Sequence, residues 1–111
     1  MSLALYKHIL RHGDRRTYPE KGGSVLLHYT AAFKNGKVFD STRFTNKPIS
    51  FRVGINQTIR AWDIAIPTMS EGEHAILQVP AEFAYGSRGL FEIVPPNMDL
   101  VYDIHLIKVL H

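Results

Sequence analysis

Three observations point to an α+β fold dominated by antiparallel sheet. Turn signals recur along the chain every eight to twelve residues or so, several runs alternate apolar and polar residues, and no long 3.6-residue periodicity is sustained. Taken in order, Ala4 to Arg11 reads as a first strand stopped by Gly13-Asp14. After Lys21-Gly22-Gly23, the run from Ser24 to Phe33 places Val25, Leu27, Tyr29, Ala31 and Phe33 on one face of a second strand. Asn35-Gly36 then predicts a hairpin with a type I′ turn, whose two central residues need positive φ, and Lys37 to Asp40 is the return strand. Ser41 to Pro48 is a polar loop or bulge. Ile49 to Val53 alternates as another strand and ends at Gly54.

Thr58 is placed to cap a helix of about two turns, with Ile59, Trp62 and Ile66 along one side and Pro67 blocking propagation. So short a helix is marginal alone, so packing of its Ile/Trp side onto the sheet must hold it. Glu71-Gly72-Glu73 reads as a turn and Ala75 to Val79 as a strand. Ala84 to Pro96 is a long irregular loop rich in Gly and Pro. Leu100 to Val109 closes the sheet, alternating Leu100, Tyr102, Ile104 and Leu106 onto one face.

Composition narrows the function. A chain of 111 residues suits one domain spanning 1–111, with a core of about 5–110, and its 45% apolar content suffices for a well-formed interior. With no cysteine, disulfides, thiolate nucleophiles and Cys-based metal sites drop out. No run approaches a membrane span and the first residues are too soon interrupted for a signal peptide, so the cytosol is expected, with the nucleus as the alternative. The net charge of +3 is modest, and Lys7, Arg11, Arg15 and Arg16 with His8 and His12 read first as a solvated basic edge. In a strand, His8 and His12 are roughly 13 Å apart, too far to share a metal. No cofactor or metal is expected. Hydrolase elbows, His-Glu-x-x-His and a phosphate-cradling loop are missing, and Asn56-Gln57-Thr58 is a chance glycosylation pattern.

What remains is a set of aromatic and acidic residues arriving at inward positions from separate elements: Tyr29, Phe39, Asp40, Phe51, Trp62, Tyr85 and Tyr102. By pattern alone these suit an ordinary aromatic core better than a binding pocket. The wording of the sequence separates the two. His28-Tyr29-Thr30, Gly36-Lys37-Val38-Phe39-Asp40-Ser41, Ile59-Arg60-Ala61-Trp62-Asp63, Met69-Ser70-Glu71-Gly72-Glu73, Ala84-Tyr85-Gly86 and Ile93-Val94-Pro95-Pro96-Asn97 stand in the order and spacing of the FKBP family. The chain resembles that family from about Leu5 to Leu110.

The resemblance implies a strongly curved antiparallel sheet of five to six strands wrapped over one short helix, with an apolar pocket between them. It implies peptidyl-prolyl cis-trans isomerase activity and binding of macrolides of the tacrolimus and rapamycin type. It makes Trp62 the pocket floor, Tyr29, Phe39, Phe51, Ile59 and Tyr102 the walls, and Asp40 and Tyr85 the polar rim. Leu90, Ile93 and Val94 would overhang it, with Ile49, Gln57, Thr58 and Ala84 as further contacts. Asp40, Tyr85, Ile59, Trp62 and Tyr102 are the residues expected to carry catalysis. Helix geometry independently suggests a role for Ile59, since a first-turn N–H has no intrahelical acceptor and can donate to a substrate carbonyl.

The chain departs from the family pattern in several places. Thr45 replaces the arginine that usually supports the aspartate, leaving Arg43 as the neighbouring arginine; Ile49 stands where phenylalanine is common, Thr58 where an aliphatic residue is usual, and Tyr102 replaces a phenylalanine. Ala61 replaces a glycine. Three readings stand at this point: a prolyl isomerase acting on proline-containing peptides and proteins; a binding module that keeps the pocket and recruits a partner protein with little turnover; and a nucleic-acid-associated protein using the basic edge. The first is preferred, no membrane association is expected, and the ligand-bound form is expected to offer a surface to a protein partner.

Overall fold

The structure, a computed structural model, describes residues 4–110. Six strands form one antiparallel, curved sheet: β1 (Tyr6–Arg11), β2 (Ser24–Phe33), β3 (Val38–Ser41), β4 (Ile49–Arg52), β5 (His74–Val79) and β6 (Leu100–Leu110). The order is β1-β5-β6-β2-β3, and β4 pairs β2 beside β3. β2 is long enough to serve both short strands: its first half, Ser24 to Leu27, faces β4, and Thr30 to Ala32 faces β3. A single helix, α1 (Arg60–Ala65), continues into a 3₁₀ turn at Ile66–Thr68 and lies across the concave face.

Alternation decides which residues make the core. Val25, Leu27 and Ala31 from β2, Ala75, Leu77 and Val79 from β5, and Leu100, Tyr102, Ile104 and Leu106 from β6 are all buried on that face. They meet Ala61, Trp62, Ala65 and Ile66 from the helical segment. A register shift opposite Leu26/Leu27 inserts an extra residue into β6, so burial there changes parity and resumes at Val109. Bulges of this kind bend a strand and increase its twist, and two more occur between β1 and β5 and between β2 and β3. Together they help a six-stranded sheet curl around so short a helix.

Two local expectations are corrected. The Asn35-Gly36 hairpin is not type I′: Gly36 alone is left-handed, at φ 91°, while Asn35 keeps negative φ. The Gly36 N–H donates to the Phe33 carbonyl at 2.9 Å and Asn35 Oδ1 accepts the Lys37 N–H at 2.9 Å. A longer loop carrying a bulge glycine thus replaces the two-residue turn, and the Asn35 side chain satisfies backbone instead of entering the left-handed region. Thr58 does not cap the helix. Ile59 occupies the cap position with extended backbone (φ −62°, ψ 153°) and no side-chain hydrogen bond, and the Thr58 hydroxyl donates weakly to the Ile59 carbonyl at 3.4 Å. Pro67 falls in the 3₁₀ turn, in keeping with the early stop.

The helix is anchored through Asp63 instead. Its two carboxylate oxygens accept the N–H groups of Gly54 at 2.8 Å and Asn56 at 3.0 Å, fastening the loop after β4 to the first helical turn. At the β1 edge of the sheet Lys7 donates to buried Glu73 at 2.9 Å and to the Thr68 carbonyl at 3.0 Å. That ion pair joins β1 to the turn before β5.

Candidate functional site

Between α1 and the concave face of the sheet lies an open cavity of about 440 Å³. Trp62 forms its floor, buried to 5% exposure by three aromatic neighbours. Tyr29 and Tyr102 meet the indole edge-on, with centroids 5.0 and 5.4 Å away, and Phe51 packs at 5.4 Å with planes tilted by 32°. Edge-to-face pairs suit the ring quadrupoles, so the floor is a fixed platform. Its Nε1–H is buried with no partner among the described residues.

The walls come from separate elements. β2 and β6 supply Tyr29 and Tyr102, β3 supplies Phe39 and Asp40, β4 supplies Ile49, and the segment entering α1 supplies Gln57, Thr58 and Ile59. Tyr85, Leu90 and Ile93 reach in from the loop between β5 and β6. Phe39 is braced from behind by Phe33, stacked at 4.7 Å, a support whose partner was not evident in the sequence. Gln57 is fixed by accepting the Arg52 N–H at 2.8 Å. The Ile59 N–H has no acceptor among the described residues, while its carbonyl takes the Trp62 N–H at 3.0 Å.

Three residues that the resemblance assigned to the pocket, Phe51 as a wall, Val94 in the overhang and Ala84 as a further contact, are not among those lining the cavity. Phe51 spends its ring against Trp62, and Ala84 packs against the core after the 3₁₀ turn Ala81–Phe83. Val94 is 4% exposed and turned under its own loop, where its N–H and carbonyl bond to Leu90 at 2.8 Å each. With Arg88, Phe91 and the two prolines, Val94 lines a second hollow of about 380 Å³ beneath that loop. The loop is shaped by Gly89: its φ is +66°, and a Cβ there would stand 2.3 Å from the Val94 carbonyl oxygen.

The polar groups are few. The Tyr29 hydroxyl donates to Asp40 Oδ2. Burial first, and the adjacent carboxylate second, hold the Tyr29 phenol well above its ordinary titration range. Tyr102 is raised as well, chiefly by burial and then by Tyr85. Both hydroxyls therefore stay protonated at any working pH. Arg43 does not support Asp40: it crosses to the outer face, where Nη1 donates to Thr30 Oγ1 at 2.6 Å and Nη2 to Asp103 Oδ1 at 3.0 Å.

The outer face holds a feature that was missed. Arg11, His74, His105 and His28 stand in one row across four neighbouring strands, next to Asp103, which also pairs with His74 at 2.6 Å. The signal was in the residues, but only strand register aligns them. The basic edge is correspondingly divided: Lys7 pairs with Glu73, Arg11 turns toward His105 Nε2 at 3.5 Å, and Arg16 lies in a turn fastened by Asp14. His8 lies in β1 and His12 beyond its end, on no common helix. No helix of the described residues is long and apolar enough to cross a membrane.

This geometry has close counterparts. The crystal structure of AtFKBP13 superposes with a TM-score of 0.87 at 34% identity, covering 95% of this chain and 92% of that one. "FK506-binding protein 1" of Debaryomyces hansenii is 44% identical over 101 residues, 91% of this chain and 90% of the relative. "Peptidyl-prolyl cis-trans isomerase FKBP1A" of Xenopus laevis is 42% identical over 100 residues, 90% of this chain and 93% of the relative. The family model described as FKBP-type peptidyl-prolyl cis-trans isomerase matches residues 15–107, and the chain belongs to that family.

Proposed function

We propose that the cavity over Trp62 binds proline-containing peptides and proteins and accelerates rotation about their X-Pro bonds. The observation that carries this is the open aromatic hollow itself, floored by one indole and left unfilled by the protein's own side chains. Rotation faces a barrier of about 18 to 20 kcal/mol because the twisted amide loses conjugation. In that state the nitrogen lone pair is withdrawn from the carbonyl and the group is less dipolar than the planar amide. An apolar enclosure therefore disfavours the planar form more than the twisted one. No bond is broken, so neither nucleophile nor metal is required.

In this reading Trp62 and Tyr102 supply the surface under the proline ring. The unpartnered Ile59 N–H and the Tyr85 hydroxyl hold the substrate carbonyls, and Asp40 with Tyr29 forms the polar rim. Fixed donors of this kind orient the substrate without reorganisation during rotation. Macrolides of the tacrolimus and rapamycin type occupy the same hollow, and the bound ligand, with the loop around Leu90 and Ile93, offers a composite surface to a protein partner. Residues 5–110 act as one domain, and the cytosol, or the nucleus, is the compartment.

A protease-coupled assay on a proline tetrapeptide tests the activity, and saturable quenching of Trp62, the single tryptophan, by a macrolide tests the pocket. Acceleration and quenching are both expected. Quenching without acceleration would favour a second reading, a binding module of low turnover, for which the diversion of Arg43 away from Asp40 argues. Absence of both would remove the proposal.

A further inference from the structure

Away from the cavity, the convex face of the sheet carries a row of basic and imidazole side chains. Arg11 pairs in register with His74, His74 with His105 and His105 with His28, so β1, β5, β6 and β2 contribute one side chain each. Neighbouring strands lie about 4.8 Å apart, which gives the row a length of about 14 Å. The rings of His74 and His105 have centroids 6.0 Å apart, and Arg11 Nη2 stands 3.5 Å from His105 Nε2.

One carboxylate is already seated here, and it serves only part of the row. Asp103 Oδ1 bridges His74 Nε2 at 2.6 Å and Arg43 Nη2 at 3.0 Å. Arg11, His105 and His28 have no carboxylate partner among the described residues. His28 meets Thr42 Oγ1 through Nδ1 at 2.8 Å, and its Nε2 is outside that bond. His105 registers the uncompensated charge: burial first, then Arg11, His74, Arg43 and His28, disfavour its protonated form. A carboxylate brought beside it would offset the electrostatic part of that effect.

We infer that this row docks an acidic segment of a partner protein, an extended run of Asp and Glu residues. Its carboxylates would do for Arg11, His105 and His28 what Asp103 does for His74 and Arg43. An extended chain advances about 3.3 Å per residue, so about five residues span the row and bring two or three carboxylates to it. Each exposed pair adds about two- to fivefold in affinity and is screened by salt. The pH dependence has a definite sign. A bound carboxylate favours the imidazolium, so docking takes up protons and tightens as pH falls from 7.5 to 6, where Asp and Glu, with ordinary values of about 4, stay ionised. Because the cavity opens on the opposite face, docking is independent of the isomerase reading above.

The test is fluorescence anisotropy with a labelled, proline-free peptide rich in Asp and Glu, its Asn/Gln counterpart, and a single-stranded oligothymidylate of equal charge. The acidic peptide should bind about tenfold or more tighter than its neutral counterpart and about threefold tighter at pH 6 than at pH 7.5, with binding lost in 1 M salt. Arg11→Glu, a change at an exposed position, should weaken it by about tenfold and leave the tetrapeptide isomerisation rate unchanged. His105→Gln should reduce the pH dependence. Equal binding of the two peptides, or binding of neither, would overturn the inference, as would an Arg11→Glu variant that binds normally. Displacement of the peptide by a saturating macrolide would place it in the cavity instead, and tighter binding of the oligothymidylate would make the row a phosphate surface; either result also overturns it.

Discussion

The two faces of the central strands are built from alternate residues of the same chain, yet they respond to different variables. On β2, Tyr29 and Ala31 face the cavity and core while His28 and Thr30 face outward; on β6, Tyr102 and Ile104 are opposed by Asp103 and His105. The concave side carries aromatic rings whose hydroxyls stay protonated. Imidazoles, guanidinium groups and one carboxylate occupy the convex side. Ligand chemistry and proton chemistry are thus segregated by a period of two. Changes on one side should move binding and on the other the pH dependence of stability.

The largest effect belongs to the concave side. Trp62→Ala removes the floor and the ring against which Tyr29, Tyr102 and Phe51 pack, and a buried Trp→Ala change costs about 3 to 5 kcal/mol. Urea denaturation should show a loss of that order, and isomerase activity should vanish at temperatures where the variant remains folded. Retained activity would mean that rotation does not occur over the indole.

Gly89→Ala should follow, acting on the roof rather than the floor. The backbone is left-handed there and the new methyl would meet the Val94 carbonyl, so the substitution forces about 1 to 3 kcal/mol of strain or moves the loop. Loop displacement carries Leu90 and Ile93 with it, so peptide affinity should weaken by about tenfold or less, while the denaturation midpoint changes little. A large stability loss with unchanged affinity would show that the loop does not cover bound peptide.

The convex side is probed by pH. His105 is held below the ordinary imidazole value of about 6.5, first by burial and then by Arg11, His74, Arg43 and His28 around it, with Asp103 as the neighbouring carboxylate. An imidazole with a lowered folded pKa contributes stability that is fully present above the unfolded pKa. Below about 6.5 the unfolded chain takes up a proton that the folded one resists, so stability declines until the folded value is passed. The urea midpoint should fall from pH 7 toward pH 5, less so in His105→Gln. Equilibrium binding of an uncharged ligand should be flat over the same interval.

How far this was readable from sequence follows the same division. β2 was legible to its ends because Gly23 and the Asn35-Gly36 turn bracket an unbroken alternation, and the Ile59-Trp62-Ile66 spacing marked the helix that faces the sheet. Arg43 was not, because its partners Thr30 and Asp103 lie 13 and 60 residues away and are aligned only by register. The family resemblance drew Val94 and Phe51 toward the cavity, whereas one is held by a tight pair of loop hydrogen bonds and the other packs on the indole. Local pattern reports which face a residue occupies; it does not report which neighbour on that face claims it.

Thr58 gives the smallest effect. It sits on the cavity side where a cap would be expected, yet its hydroxyl makes only a 3.4 Å contact to the Ile59 carbonyl. A true N-cap lost to alanine costs about 0.5 to 2 kcal/mol. Here the first turn is fastened by Asp63 to Gly54 and Asn56, so Thr58→Ala should change the urea midpoint by less than about 0.5 kcal/mol equivalent, the range of an uninvolved surface position. Asp63→Ala, which strips acceptors from two backbone N–H groups, should cost more, about 1 to 3 kcal/mol. Equal losses in the two variants would mean that the threonine caps the helix in solution, and that the polar chemistry of the pocket side is less sparse than its geometry implies.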